Sequence, residues 1–487
     1  MLRRAPIFIA ADPQRVSSGL QPDLHPLLSL LWEAASNVTF AAGRVKRRVP
    51  PSLIFSAPGR KVRGISQQQA TNGVRWLWAA FDDSLLYRWY GPAPEDLNLA
   101  ASLQLDENSL KPAGFVDFTH FGDWTLVNSS TGPALLHKPN ISFSTFGDAP
   151  QNVAIFRKRQ NFILAFGYGE RGTRVGWSDA DNIESWTASQ TNLAGSLTID
   201  DMDTRIKTAV SLGGSMAVYA EDQMALVNYV GAPFYFGQRM ALDGIGAIGK
   251  FSVASDGKSN YGVGRGGVWW TDGLSYRYID EGYLHDYLQD NVNWSQGSKI
   301  TACRNDYTGC YEFSFPLLGS LECNEAWSFD PRTGGWSPIP AFSIKDERRL
   351  FNKPVMGLST GLVQRDQDHP GLSAPLTLRT RPLLMQVNSE SGLTDSHLTA
   401  IVDEVELLMK ASANVQFRLL SSQQSDGPWA TGPWVNVLPN STTYKRGPDW
   451  PADGVYWKLE FQSTAATWVM DLQGFMLYGS IEGTKRD

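Results

Sequence analysis

Histidine and cysteine are the most chemically versatile residues in this 487-residue sequence, and their spacing builds neither a metal site nor an activated nucleophile. His25, His120, His137, His285, His369 and His397 are scattered, with no H-x-H or H-E-x-x-H pattern to set two ligands on one face. Cys303, Cys310 and Cys323 are odd in number and lack C-x-x-C spacing. In TACRNDYTGCYEF, a turn from Asp306 to Gly309 would place Cys303 and Cys310 nearly opposite each other on a hairpin. They are expected to be reduced, buried and small, as in a protein assembled in the cytosol. There is no G-x-S-x-G elbow and no phosphate loop ending in Lys-Ser/Thr. The glycine-rich run GVGRGGVWW opens no helix, so it is a hairpin. Asp200, Asp201 and Asp203 are carboxylates that could face a hard cation, but they lack the glycine-framed loop calcium requires. A solvated turn is the expectation. The sequence thus offers no catalytic residue, no metal ligand and no cofactor site.

The elements that would have to position chemistry are short strands. From Arg174 the chain reads RVGW, then a turn rich in Asp181, Asn182 and Ser185, whose side chains bond their own backbone. Trp177 and Trp186 bracket that turn, each ring burying apolar area while its N–H finds an acceptor. RIKTAVSL, MAVYA and QMALVNYV follow as alternating strands split by Gly213-Gly214-Ser215 and Glu221-Asp222, which is a meander. The same theme recurs from Pro51 to about Pro382. Hairpins turn at Asp82-Asp83-Ser84, Gly122-Asp123, Arg159 to Asn161, Asp256-Gly257, Asp272-Gly273 and Pro331 to Gly335. The groups return every ~40–50 residues, the spacing of propeller blades. The expected fold is all-β: a β-propeller of about six or seven blades over 51–382, then a C-terminal β-sandwich over 396–481. Gly371 to Glu390 reads as the linker and Glu482 to Asp487 as a polar tail. Residues 1–50 read as an arm carrying one short helix, LHPLLSLLWEAASN, by its leucine spacing. A second helix is expected from Asp280, with Leu284, Tyr287 and Leu288 on one face.

Composition bounds the partners. The 42% hydrophobic and 11% aromatic content, with 17 Trp, belongs to a chain with extensive buried surface. A net charge of −6 opposes tight duplex binding, which depends on Lys and Arg displacing counterions from phosphates. Arg44, Lys46, Arg47, Arg48, Arg60, Lys61 and Arg63 form a basic run without interleaved aromatics, which reads as solvated strand edges before phosphate contacts. The apolar run near the N-terminus is cut at Asp12-Pro13, too short for a signal peptide, and no stretch approaches the ~20 apolar residues of a membrane span.

A family resemblance sits on the same stretches. WSD, NIESW, the TNLAGSL turn, YVGAPFYFG and LDGIGAIG resemble the central repeat of tail hub or nozzle proteins of short-tailed bacteriophages, the tail-tube, packaged-DNA stabilisation proteins. AASNVTFAAGRVKRRVPP is similar to that family's opening, GGVWWTDGLSYRYID to its later blades, and SSQQSDGPW with YWKLEFQSTAATWVMDLQGFMLYGSI to its terminal β-domain. The resemblance implies a structural virion protein without enzymatic activity, made in the host cytoplasm and built into the tail. It implies a homo-oligomeric ring, expected to be a homohexamer, below the portal and its adaptor, lining the path of DNA ejection. Double-stranded DNA would pass without tight binding. Loops Thr187 to Ser196 and Val230 to Gly237 are the expected subunit contacts or constriction, against the plainer reading that they seal blade tops.

Two alternatives stay open. Propellers also serve as sialidase-like glycan hydrolases, and SDADNIESW resembles their Asp-containing turn, but Ala180 stands at a strict position and the motif does not recur. Such an enzyme also needs a carboxylate pair at set separation. The other alternative is a propeller scaffold that binds proteins other than itself.

Overall fold

One antiparallel plan repeats seven times between Ser52 and Gln364. The computed structural model describes residues 7–25, 30–48, 52–56, 58–82, 86–91, 115–129, 134–138, 144–306, 308–346, 355–358, 361–364, 375–389, 392–395, 399–412, 414–439, 441–465 and 468–483. His369, His397, Asp83, Ser84 and residues 484–487 of the expected tail lie outside the described residues.

The first blade holds Val62–Gln69, Arg75–Phe81 and Leu86–Gly91, and the second Asp117–Phe121, Trp124–Asn128, Leu135–His137 and Ser144–Thr145. The third holds Ile155–Arg159, Phe162–Tyr168, Arg174–Trp177 and Gly195–Thr198, and the fourth Thr208–Leu212, Ser215–Tyr219, Gln223–Gly231 and Tyr235–Asp243. The fifth runs Val253–Ser255, Asn260–Gly264, Gly267–Thr271 and Tyr276–Tyr278; the sixth, Thr301–Asn305, Cys310–Phe315, Glu325–Asp330 and Gly335–Ile339. The seventh takes Ile344–Asp346, Val355–Leu358 and Gly361–Gln364, and its outermost strand is Ser52–Ser56, from the other end of the propeller sequence.

The first strand of each blade neighbours the first strand of the next, and that of the seventh meets that of the first, so the ring closes. Apolar packing follows the same circuit. A buried cluster joins every adjacent pair, from Trp78 and Phe118 between the first and second blades to Val62 and Ile344 between the seventh and first. Alternation makes this possible, because each strand sends every second side chain to one neighbouring blade. Among the described residues, this part of the chain is therefore an all-β propeller with seven blades.

The second β unit is built from both ends of the chain. One sheet orders Val38–Ala41, Arg44–Arg47, Met470–Gly483, Ile7–Ala11, Gln386–Ser389 and Gly392–Asp395, with Thr399–Ala411 also paired to Met470–Gly483. The other orders Trp32–Ser36, Leu376–Thr380, Tyr456–Ser463, Gln416–Ser422 and Ala430–Thr431. They share a core that includes Trp32, Phe40, Phe417, Trp457 and Phe475.

Three expectations change here. The helix expected from LHPLLSLLWEAASN does not form in its described part: Trp32–Ser36 is a strand paired with Leu376–Thr380, and the helix near this end is the single turn Pro13–Val16. Residues 1–50 are thus not a detached arm, because four of their strands complete the sandwich. Gly371 to Glu390 is not a linker, since Leu376–Thr380, Leu383–Leu384 and Gln386–Ser389 all sit in sandwich sheets. The propeller is an insertion within the sandwich.

The sandwich covers the outer edge of the sixth blade. Leu20 N donates to Trp336 O at 2.9 Å, Phe40 N to Ser337 Oγ at 3.0 Å and Arg48 Nη1 to Pro338 O at 2.6 Å. A strand edge that would otherwise offer unpaired backbone groups is thereby capped. The helix expected from Asp280 forms over His285–Asn291, with Leu284 and Leu288 buried between the fifth and sixth blades. Among the described residues no helix is long and apolar enough to cross a membrane.

Candidate functional site

Two places on the propeller combine geometry with chemistry: the axial cavity and one overlong hairpin. The innermost strands line a partly open cavity of about 370 Å³, with Ser66, Asp117, Arg157, Lys250, Ser255 and Thr301 in its wall. Asp117, 3% exposed, accepts from Phe156 N at 3.1 Å and pairs with Arg157 Nη1 at 2.9 Å. Arg157 also donates from Nη1 to Phe156 O at 2.8 Å and from Nε to Ala209 O at 2.9 Å, tying the second, third and fourth blades together. Lys250 extends its Nζ to Asn128 O at 3.2 Å. Burial pushes the Lys250 ammonium down to about 8; Asp117 opposes that shift and Arg157 adds to it. Thr301 is 2% exposed, and among the described residues its Oγ1 has no hydrogen-bond partner. Among the described residues, the cavity wall thus carries two cations and one committed carboxylate.

The hairpin belongs to the fourth blade. Gln223–Gly231 and Tyr235–Asp243 are nine residues each, against two to seven in the strands of the other four-stranded blades, so the pair projects beyond its neighbours. At its tip Phe234 is 74% exposed, Val230 57% and Tyr229 42%. Behind the tip is an aromatic base: Phe236 lies 5.4 Å from Phe162, 5.2 Å from Trp177 and 5.6 Å from Tyr229, centroid to centroid. The two loops singled out from sequence meet here, because Leu193 of the first and Tyr235 and Phe236 of the second pack on one cluster shared by the third and fourth blades. Trp177 and Trp186 behave as expected for packing residues with satisfied indoles. Both are buried, Trp177 Nε1 donating to Leu193 O at 2.8 Å and Trp186 Nε1 to Ile183 O at 2.7 Å.

The remaining candidates are structural. His120 bonds Ser66 Oγ and Thr125 Oγ1, His137 packs edge-on against Trp78, and His285 meets Asp280 at 3.2 Å. Asp200, Asp201 and Asp203 are exposed between the third and fourth blades. Cys303 and Cys310 are buried free thiols but not opposite each other: the register sets Cys303 against Glu312 and Cys310 against Asn305. Burial pushes Cys310 up to about 11 and Cys323 up to about 12, which removes their nucleophilic character.

The basic run disperses. Arg44 pairs with Asp471 at 2.9 Å and Arg47 lies over Trp468 in the sandwich, while Lys61 and Arg63 reach Glu322 in the propeller. Lys299 completes that cluster, with Nζ 3.0 Å from Glu322 Oε1. No motif in the sequence marks Asp117, Arg157 or Lys250. The available signal was a charge in the apolar first strands FVDFTHF and NVAIFRKRQ, where solvent-facing alternation does not call for one.

No family model matches the chain, and no curated protein matches it. Among solved structures, the chain is similar to the Neurospora crassa Pan2 WD40 domain at 9% identity and a TM-score of 0.40, over 63% of this chain and 90% of that one. It is also similar to BBS1N, solved in complex with ARL6DN, at 10% identity and a TM-score of 0.41, over 66% of this chain and 99% of that one. The fold assignment rests on the sheet order and ring closure described above.

Proposed function

We propose that this protein acts by contact and not by catalysis: a rigid propeller, clamped by its sandwich, that offers the hairpin tip of its fourth blade to a protein partner. The observation that carries this reading is the exposure of Phe234 and Val230 at a tip whose base is packed by Phe162, Trp177 and Phe236. An exposed aromatic is the kind of anchor that dominates protein interfaces. Catalysis lacks comparable support. The sole carboxylate in the axial cavity wall, among the described residues, is Asp117, already bound to Arg157, where glycan hydrolysis needs a pair.

The finer reading is a structural tail component of a short-tailed phage whose partner is a further copy of this chain in a ring. It is supported by the sequence resemblance and by the closed, edge-poor propeller, which tiles without open-ended strand pairing. The cavity inside one propeller is too narrow for a duplex, so a conduit would have to run between subunits. Light scattering and negative-stain microscopy of the wild type and Phe234→Asp test both levels. Annular particles that Phe234→Asp dissociates, at an unchanged melting temperature, support the ring. A monomer at all concentrations overturns self-assembly, and a Phe234→Asp protein that assembles like wild type overturns the tip as the contact.

A further inference from the structure

We propose that the outward face of the sandwich sheet holding Gln416–Ser422 and Tyr456–Ser463 is a saccharide-binding platform, with Trp429 and Trp434 as its stacking surfaces and the ion-paired side chains between them as its hydrogen-bonding floor. This goes beyond the contact role of the hairpin and does not depend on it.

The tripeptide Gly-Pro-Trp occurs twice in close succession, at 427–429 and 432–434. Two short pairings pin this stretch to Gln416–Ser422: Ala430–Thr431 lies against Ser421 and Leu420, and Val435–Asn436 against Phe417 and Gln416. Alternation sends Phe417 and Leu419 of that strand, and Trp457, Leu459 and Phe461 of its neighbour, into the core, so Arg418, Lys458 and Glu460 stand on the opposite face. There the two indoles come down on cations. The Trp434 ring lies 4.3 Å from the Arg418 guanidinium and the Trp429 ring 4.4 Å from Lys458 Nζ. Acids link the cations: Arg418 pairs with Glu460 at 2.6 Å, Arg379 with Glu460 at 3.9 Å and with Glu33 at 3.3 Å, and Lys458 with Glu33. A chain of paired charges thus runs from one ring to the other. The register sets Arg418 opposite Glu460 and Leu420 opposite Lys458, so the two cations are diagonal neighbours, about 7 to 8 Å apart at the backbone. Rings above such a pair are placed to meet neighbouring units of one oligosaccharide.

Both rings are half-buried, each with one face on its cation, and among the described residues no aromatic ring stacks on either and neither indole N–H is hydrogen-bonded. Trp177, Trp186 and Trp457, whose work is packing, donate theirs to carbonyls. A sugar ring suits this face, because it has a C–H side to lie on an indole and hydroxyls that both donate and accept beside it. Other occupants fit less well. The cores of protein interfaces are depleted of charged side chains, and this strip is charged from end to end. Platforms for single-stranded nucleic acid line a positive groove, whereas Glu33 and Glu460 here offset two of the three cations. Shielding the ion pairs from water needs apolar cover, but not two indoles with open N–H groups.

The test probes a printed array of neutral and acidic oligosaccharides with the full chain at pH 7 and titrates the strongest binder by isothermal calorimetry. Saturable binding of at least one oligosaccharide is expected. Trp429→Ala and Trp434→Ala should each weaken it about tenfold or more, and the double variant Trp429→Phe with Trp434→Phe, which keeps smaller stacking faces and loses both N–H groups, about threefold or more. Phe234→Asp should bind as the wild type does, which separates this site from the hairpin contact. The proposal is overturned if no oligosaccharide is retained, if both alanine variants bind as the wild type does, or if a single-stranded oligothymidylate binds in the place of saccharides. Should the alanine variants fail to fold, an unaltered affinity in the double phenylalanine variant overturns it equally.

Discussion

Asp117 Oδ1 lies 2.9 Å from Arg157 Nη1, and this one contact joins the second and third blades at the wall of the axial cavity. The acid is 3% exposed and its other oxygen accepts from Phe156 N, so both of its oxygens hold the third blade's first strand. Asp117→Asn keeps the shape but removes the charge opposing Arg157 and Lys250. Breaking a buried pair from one side costs about 3 to 5 kcal/mol. Urea unfolding should show a loss of at least about 2 kcal/mol with an unchanged slope. A midpoint equal to the wild type's would mean that the pair is not a brace.

Glu322 gathers Lys61, Arg63 and Lys299, each with a nitrogen 3.0 to 3.1 Å from Oε1. Burial pushes its carboxyl up, but hydrogen bonds from Arg63, Lys299 and Lys61 outweigh that and hold it down at about 2. A folded-state value below the ordinary 4.5 means the stabilisation is full above 4.5 and is lost as pH falls toward 2. Glu322→Gln should cost about 2 kcal/mol at pH 7, and the difference from wild type should shrink between pH 4.5 and pH 2. Denaturation midpoints measured across that window check the sign. A deficit that stays constant with pH would assign the loss to packing.

The repeat of turns made the propeller legible, because Asp-Gly corners and alternating strands are local features. Asp256 and Asp272 accept from the backbone two and three residues on, and a sequence shows such turns directly. The sandwich was only half legible. Trp32–Ser36 follows a leucine run with helical spacing, yet its place is decided by pairing with Leu376–Thr380, more than 300 residues away, and that pairing overrides local preference. The cavity was not legible. Asp117, Arg157 and Lys250 belong to three different parts of the circuit, and only ring closure brings them to one axis. The cysteine hairpin was placed correctly but misregistered, because a turn with one residue more or less moves every cross-strand partner.

Lys250 should make the protein less stable than it could be. Its ammonium is buried near Asp117 and Arg157, and burial lowers it from 10.5 to about 8. Below pH 8 the folded state therefore carries the full cost of burying the charge. Between 8 and 10.5 the unfolded chain binds more protons than the folded one, so stability from this group rises with pH. Lys250→Met is expected to be more stable than wild type by about 1 to 2 kcal/mol at pH 7, the gap closing by about pH 10.5. Guanidinium titrations at pH 7 and pH 10 decide it. A Met variant less stable at pH 7 would show that the bond to Asn128 O outweighs desolvation.

Trp177 and Gly195 supply a test of the loop that the sequence singled out first. A Cβ built on Gly195 would meet Trp177 Cζ2 at 2.6 Å, and the ring cannot yield because it is 5% exposed and anchored through Nε1 to Leu193 O. Gly195 has no positive φ, so the conflict is one of space and not of backbone. Trp177→Ala should cost about 3 to 5 kcal/mol, and Trp186→Ala a similar amount. Gly195→Ala should cost about 1 to 3 kcal/mol by overpacking. Once Trp177 is gone, however, the added methyl enters the space the indole left, so the double variant should be more stable than the sum of the single losses implies, by about 1 kcal/mol or more. Thermal and urea unfolding of the four proteins give that coupling directly. Strict additivity would mean that the loop is not seated on Trp177, and the shared base inferred for the neighbouring hairpin tip would lose its support.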